Sequence, residues 1–221
     1  SDLTEAARDG EIVGGYIKKE TLASAHDYWE LAHVGEVKQA LNDEGVSFLL
    51  GEGDVVSQVN AWCDRYDLDA VYFNRSYLHD EIELEDRLIE TLEAKGIQVK
   101  RFVGDVLAKP GTVLTGKGEY YKVFTPFYKA LRQEKLIQPV KKPAVFSGLA
   151  IESADISVDQ PAWFKKLLEY FTPGEQAALE QLESFLHDAL SHYSKGRDRP
   201  ARKDTSRLSV YLAVGAISPR V

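Results

Sequence analysis

Val46-Ser47-Phe48-Leu49-Leu50, followed by Gly51-Glu52-Gly53-Asp54, decides the fold. A short, mostly apolar run bounded by glycine reads as a strand covered on both faces. The glycines turn the chain, and Asp54 has the chemistry of an N-cap for a helix from Val55 to Tyr66. The same alternation extends in both directions. Upstream, Glu11 to Ile17 reads as a strand and Ser24 to Asp43 as a helix stopped at Gly45. Downstream come a strand from Asp69 to Asn74, a charged helix from Asp80 to Lys95 and a strand from Ile97 to Phe102. This order predicts an α/β fold, a mostly parallel sheet flanked by helices in the Rossmann-like manner. Ser1 to Gly10 reads as the end of a helix that lacks its feeding strand.

The second half changes character. Val103 to Gly118 reads as loop and Tyr120 to Leu136 as helix. Ile137 to Gln160 has no sustained periodicity and holds Pro139, Pro143 and Gly148, as a linker does. Thr172-Pro173-Gly174-Glu175 predicts a capping box with Thr172 at the N-cap, launching a helix from Gln176 to Tyr193. The predicted division is 1–137, 138–162 and 163–221, the last being the start of an all-α unit.

Composition narrows the function. The 221 residues carry a net charge of −8, yet Ser191 to Val221 carry +5, which suits a phosphate-facing tail on an acidic body. No stretch has the run of about 20 apolar residues that a membrane-spanning helix needs. The lone Cys63, in a helical stretch without a local His or Asn partner, reads as a buried, inert thiol of a reducing compartment, here the cytoplasm. No metal site is expected. The chain has no Met and stops on an unfinished helical pattern, so it reads as a fragment.

Three segments carry chemistry. Asp204-Thr205-Ser206 has the residue types of a helix start, and Ser209 adds a third hydroxyl, a donor set suited to phosphate. A simple N-cap beside solvated arginines fits the same residues. Lys109 to Tyr128 is a glycine-containing loop running into an aromatic helix, without a P-loop ending. Asn74, followed by Asp80 and Glu81, lies just past a strand's carboxyl end, where open sheets bind ligands. A solvated acidic first turn is the plain alternative there.

The stretch Tyr193-Ser194-Lys195-Gly196-Arg197-Asp198-Arg199-Pro200 … Thr205-Ser206-Arg207-Leu208-Ser209-Val210-Tyr211-Leu212-Ala213-Val214-Gly215-Ala216-Ile217-Ser218-Pro219-Arg220 closely resembles the first flavin-contacting segment of the cryptochrome/photolyase family. Pro110-Gly111-Thr112-Val113-Leu114-Thr115-Gly116 and Tyr121-Lys122-Val123-Phe124-Thr125-Pro126-Phe127 resemble a second family segment. The family pattern carries Gly and Pro where this chain has Asp204 and Val210.

The resemblance implies a light-antenna α/β domain, a linker and the opening of a helical FAD-binding domain. It implies that Tyr193, Thr205, Ser206, Arg207, Leu208 and Ser209 hold FAD and that Arg197 lies near the DNA backbone. Asn74, Asp80 and Glu81 would border an antenna chromophore: a folate, a deazaflavin or a flavin. The implied activity of the monomeric parent is light-driven repair of cyclobutane pyrimidine dimers in UV-damaged DNA, by electron donation to a flipped-out dimer. The 221 residues alone would lack most of the FAD cavity and be inactive. A cryptochrome-type blue-light photoreceptor is the alternative within the family. An electron-transfer flavoprotein relative would explain residues 1–137 but not the Tyr193–Arg220 pattern.

Overall fold

The computed structural model describes residues 2–104, 106–136, 138, 142–152 and 159–221. The α/β alternation is present: α1 (Asp2–Asp9), β1 (Gly14–Lys18), α2 (Ala25–Asp43), β2 (Phe48–Glu52), α3 (Val55–Tyr66), β3 (Ala70–Asn74), α4 (His79–Glu93) and β4 (Gln98–Phe102). Capping sets the boundaries. Ser24 and Asp27 form a reciprocal capping box at the start of α2. Asp54 accepts the Ser57 amide at 2.8 Å at the start of α3.

The sheet is made of two parallel pairs, β1 with β2 and β3 with β4. Hydrogen-bond parity leaves one edge of β1 and one of β3 free. The Gly14 amide bonds the Ser47 carbonyl, so Gly15 and Ile17 turn their backbone groups the other way. Asp69 accepts from Gln98 and Arg75 donates to Phe102, so Ala70 and Tyr72 also turn away from their pair. Both free edges border one cavity of about 1180 Å³, lined by Gly14–Ile17 and Ala70–Phe73 among others.

Three apolar clusters hold the layers. Ile12, Leu41, Val46 and Phe48 join the second half of α2 to the first strand pair. Cys63, Leu88 and Leu92 lock α3 to α4. Burial pushes the Cys63 thiol pKa up, in keeping with an inert thiol. The third cluster joins the first half of α2 to α6 (Ala162–Leu168), α7 (Glu175–Ser184) and the chain's end through Trp29, Phe164, Ala178, Tyr211 and Ile217.

Several sequence expectations are corrected. The helix foreseen over Tyr120 to Leu136 is α5, Phe124–Leu131. Pro126 has no amide proton and is tolerated only in a first turn, which fixes the start at Phe124. Ahead of it the Thr115 amide bonds the Glu119 carbonyl in a tight turn instead. The Thr172 capping box does not form. Gly174 has φ +108°, which a right-handed helix cannot contain, so α7 begins at Glu175 with no side-chain cap. The helix foreseen to Tyr193 leaves α geometry at Phe185, passing through a π-turn (Phe185–Ala189) and a 3₁₀ turn before α8 (Tyr193–Gly196).

The proposed linker, 138–162, falls partly on residues 139–141 and 153–158, outside those described. Its described middle is stitched to the sheet. Gly148 bridges Ile12, and the Ser47 hydroxyl donates to the Leu149 and Ile151 carbonyls. A methyl group on Gly148 would overlap the Gly45 carbonyl oxygen and lie 2.8 Å from Val46 Cα. Backbone cannot swing aside as a side chain can. Gly148→Ala is therefore expected to cost about 3 kcal/mol, read as a lowered urea midpoint with an unchanged slope.

Candidate functional site

The late segment is positioned by α2. Trp29 Nε1 donates to the Val210 carbonyl at 2.8 Å, across 181 residues of sequence. The rings of Trp29, His33 and Tyr211 meet edge to face at centroid separations of 4.5–5.9 Å. The Tyr211 hydroxyl donates to the Thr172 carbonyl at 3.0 Å, and the Gly174 amide donates to His33 Nδ1 at 3.0 Å. His33 is buried, which pushes its pKa down to about 4 and keeps it the neutral acceptor that this bond requires.

From this anchor the chain turns back through Thr205–Ser209. Its helix, α9, covers Ser209–Leu212 rather than starting at Thr205. Arg207 has φ +54°, the left-handed region, and no right-handed helix can run through it. The expected phosphate seat at a helix start is thereby corrected: the donors sit on a turn. Gln181 Nε2 holds the Ser206 carbonyl at 3.0 Å, and the Ser206 hydroxyl accepts from the Leu208 amide at 3.4 Å.

The turn lines an open pocket of about 610 Å³. Tyr193, Thr205, Ser206, Arg207, Leu208 and Ser209, the six residues singled out from sequence, all line it. Tyr170, Phe171 and Val210 complete the lining. Sequence reasoning missed the two aromatics. The only available signal was their place directly before Thr172-Pro173, which reads as a helix entry rather than a wall. Among the described residues no carboxylate lines the pocket. Asp204, the departure that threatened it, pairs with Arg202 Nε at 2.6 Å instead.

Arg197 lies beside the pocket and outside its lining. Its guanidinium sits 5.8 Å from the Tyr193 ring centre, and Arg197 is exposed together with Lys195, Arg199, Arg202 and Lys203. The strand-end group is less convergent. The Asn74 side chain fills the space over Gly104. Glu81 accepts the Ser76 hydroxyl, while Asp80 is exposed in the first turn of α4. Sequence reading passed over Glu85, which is buried, accepts the Ser76 amide and faces Arg101 at 3.5 Å. Among the described residues, Arg75 Nε and Tyr77 Oη are buried without a hydrogen-bond partner, and no group of three or more His, Cys, Asp or Glu is arranged for a metal ion.

Comparison with known proteins fits this arrangement. The profile of the DNA photolyase family matches residues 3–144. The chain belongs to the DNA photolyase family. It is 29% identical to a deoxyribodipyrimidine photo-lyase of Agrobacterium fabrum, over 98% of this chain and 48% of that protein. It is 34% identical to the Escherichia coli photo-lyase, over 86% of this chain and 41% of that protein. A class III photolyase crystal structure from Agrobacterium tumefaciens superposes with a TM-score of 0.89 at 30% identity, covering 99% of this chain and 48% of that one. The chain thus spans about half the length of the curated relatives it matches. More distantly, a Sulfolobus tokodaii photolyase solved with two FAD molecules shares the fold, with a TM-score of 0.73 at 20% identity. No described helix is long and apolar enough to cross a membrane.

The His33 contact gives this photolyase-family chain a defined pH response. The folded pKa lies below the ordinary 6.5, so the unfolded chain binds more protons between about pH 6.5 and 4. Stability falls as pH drops through that window, by about 3 kcal/mol from this residue. His33→Gln keeps an acceptor and removes the titration. Urea midpoints at pH 7 and pH 4 are expected to differ less in the variant than in the native chain.

Proposed function

We propose that this chain is the antenna and FAD-seating portion of a deoxyribodipyrimidine photo-lyase, which repairs cyclobutane pyrimidine dimers in UV-damaged DNA under light. The observation that carries this reading is the convergence of Tyr193, Thr205, Ser206, Arg207, Leu208 and Ser209 on one pocket in a DNA photolyase chain. The named activity of relatives at 29–34% identity supports it.

The donor set fits the diphosphate end of FAD. Three hydroxyls and a guanidinium offer charge-assisted bonds to phosphate oxygens, and no lining carboxylate opposes them. When bound, FAD supplies the light-driven one-electron chemistry. The chain's residues do the holding. Thr205, Ser206 and Ser209 donate hydrogen bonds, and Arg207 compensates charge. Tyr193 and Tyr170 form part of the pocket's wall. Arg197 and the exposed cations beside it face DNA phosphates, while Asn74, Asp80 and Glu81 border the antenna chromophore, a folate, deazaflavin or flavin. The working protein is a cytoplasmic monomer whose helical half supplies the remaining FAD contacts.

The test uses the polypeptide at the relatives' length, with UV-irradiated DNA in light and in darkness. Dimers counted by a lesion-specific nuclease are expected to fall only in light. Bound flavin with unchanged dimers would overturn repair and favour a signalling photoreceptor. Ser206→Ala removes one hydroxyl bond to a charged group and is expected to weaken FAD binding about 10- to 100-fold, seen as flavin lost on dialysis.

A further inference from the structure

Gly196 ends α8 in ordinary right-handed geometry, outside the positive-φ set. Nothing in its backbone requires glycine, and alanine favours a helix more. Gly196 is nevertheless buried, and the reason is a neighbour eight residues on. A methyl group there would overlap Oδ2, Cγ and Cβ of Asp204. Because Cβ itself is in the way, rotating the Asp204 side chain does not relieve the overlap. Successive turns bring the two together: the Arg199 amide bonds the Gly196 carbonyl, and the Arg202 amide bonds the Arg199 carbonyl, each at 2.9 Å.

The Asp204 side chain is 13% exposed and sits 2.6 Å from Arg202 Nε. That nitrogen lies off the hydrogen-bonding direction, and Oδ2 has no aligned hydrogen bond among the described residues. The contact is therefore chiefly an ion pair pressed onto a bare α-carbon. Asp204 directly precedes Thr205 and Ser206, and its carboxylate is not part of the pocket lining.

We propose that Asp204 is a positioning residue: its carboxylate, paired with Arg202 and seated on Gly196, anchors the Thr205–Ser209 turn and directs one negative charge away from the pocket. This rests on the FAD-seating reading for its purpose, though not for its geometry. Asp204 stands where the family pattern has glycine, and the latch turns that departure into a support. An unanchored carboxylate one residue from the pocket would repel a diphosphate. Held against α8 by Arg202, it fixes the turn instead.

A double-mutant cycle tests the latch. Gly196→Ala, Asp204→Gly and the pair together are compared by urea midpoint and by hydrogen exchange at the 205–209 amides. Gly196→Ala and Asp204→Gly are each expected to lower the midpoint and to speed exchange at those amides about tenfold, because each undoes the same latch, and the double variant is expected to match Asp204→Gly alone. Additive effects, or unchanged exchange at 205–209, would overturn the proposal. FAD binding is then measured on the same variants at the relatives' full length. Gly196→Ala and Asp204→Gly are each expected to weaken it about tenfold or more, and the double variant no more than Asp204→Gly alone. Asp204→Asn keeps the side chain's shape but breaks the ion pair with Arg202, so its affinity is expected to fall about threefold or more, and an unchanged affinity would show that the pair anchors nothing. A gain of about tenfold would place the carboxylate facing the anion and sink the idea. If no form binds FAD, the cofactor reading falls, and the cycle and exchange data still decide the latch.

Discussion

The hydrogen bond from Trp29 to the Val210 carbonyl is the constraint on which the candidate site depends. It crosses 181 residues of sequence and pins the end of the chain to a helix formed near its beginning. Rings pack on both sides of that bond, so the polar contact lies in a largely dry setting where a hydrogen bond is electrostatically strong. Gln181 and the pairing of Asp204 with Arg202 tether the Thr205–Ser209 turn further. The pocket is thus a tertiary product. Its residues adjoin one another in sequence, but the surface that holds them comes from elsewhere.

α2 serves two layers at once. Its second half, through Val34 and Leu41, packs on the first strand pair, and its first half, through Tyr28, Trp29 and Ala32, packs on the helical unit. A helix covered on different faces along its length has no single apolar stripe. The buried Asp27 belongs to the same economy. It accepts from the Ala23 and Ser24 amides and from Lys19, and the Lys19 bond first, then Ser24, holds its carboxyl pKa well below the usual range. Ends of helices that enter a core need such partners, because an unpaired amide there costs more than the bond is worth at the surface.

Much of the α/β half was legible because its signals are local. Periodicity, Asp54 at an N-cap and glycine stops placed α2, α3 and α4 to within two residues of their observed ends. The six pocket residues were legible because one contiguous motif carries them. What stayed hidden has a physical reason in each case. The left-handed Arg207 and the positive φ of Gly174 are backbone states that side-chain pattern does not encode, so the Thr172 cap and the helix start at Thr205 were misplaced. Glu85 sits on a helix read as charged, and only the fold turns it inward toward Ser76 and Arg101. Tyr170 and Phe171 meet the Thr205–Ser209 turn across more than thirty intervening residues, a distance no periodicity spans.

The left-handed Arg207 itself carries an argument about the site. A non-glycine residue there costs about 1–2 kcal/mol, and such strain persists only where the surroundings over-determine it. Here Gln181 fixes the carbonyl before Arg207, and the packing of Leu208 fixes the residue after it. In an unbroken α-helix, residues 205, 206 and 209 would already share one side, because spacings of three and four residues return nearly to the same face. The reversal at Arg207 takes Thr205 and Ser206 off that face, and they line the same pocket as Ser209 from a turn. The strain therefore sits within the donor set itself, and convergent donors are what a diffuse, multiply charged phosphate group rewards.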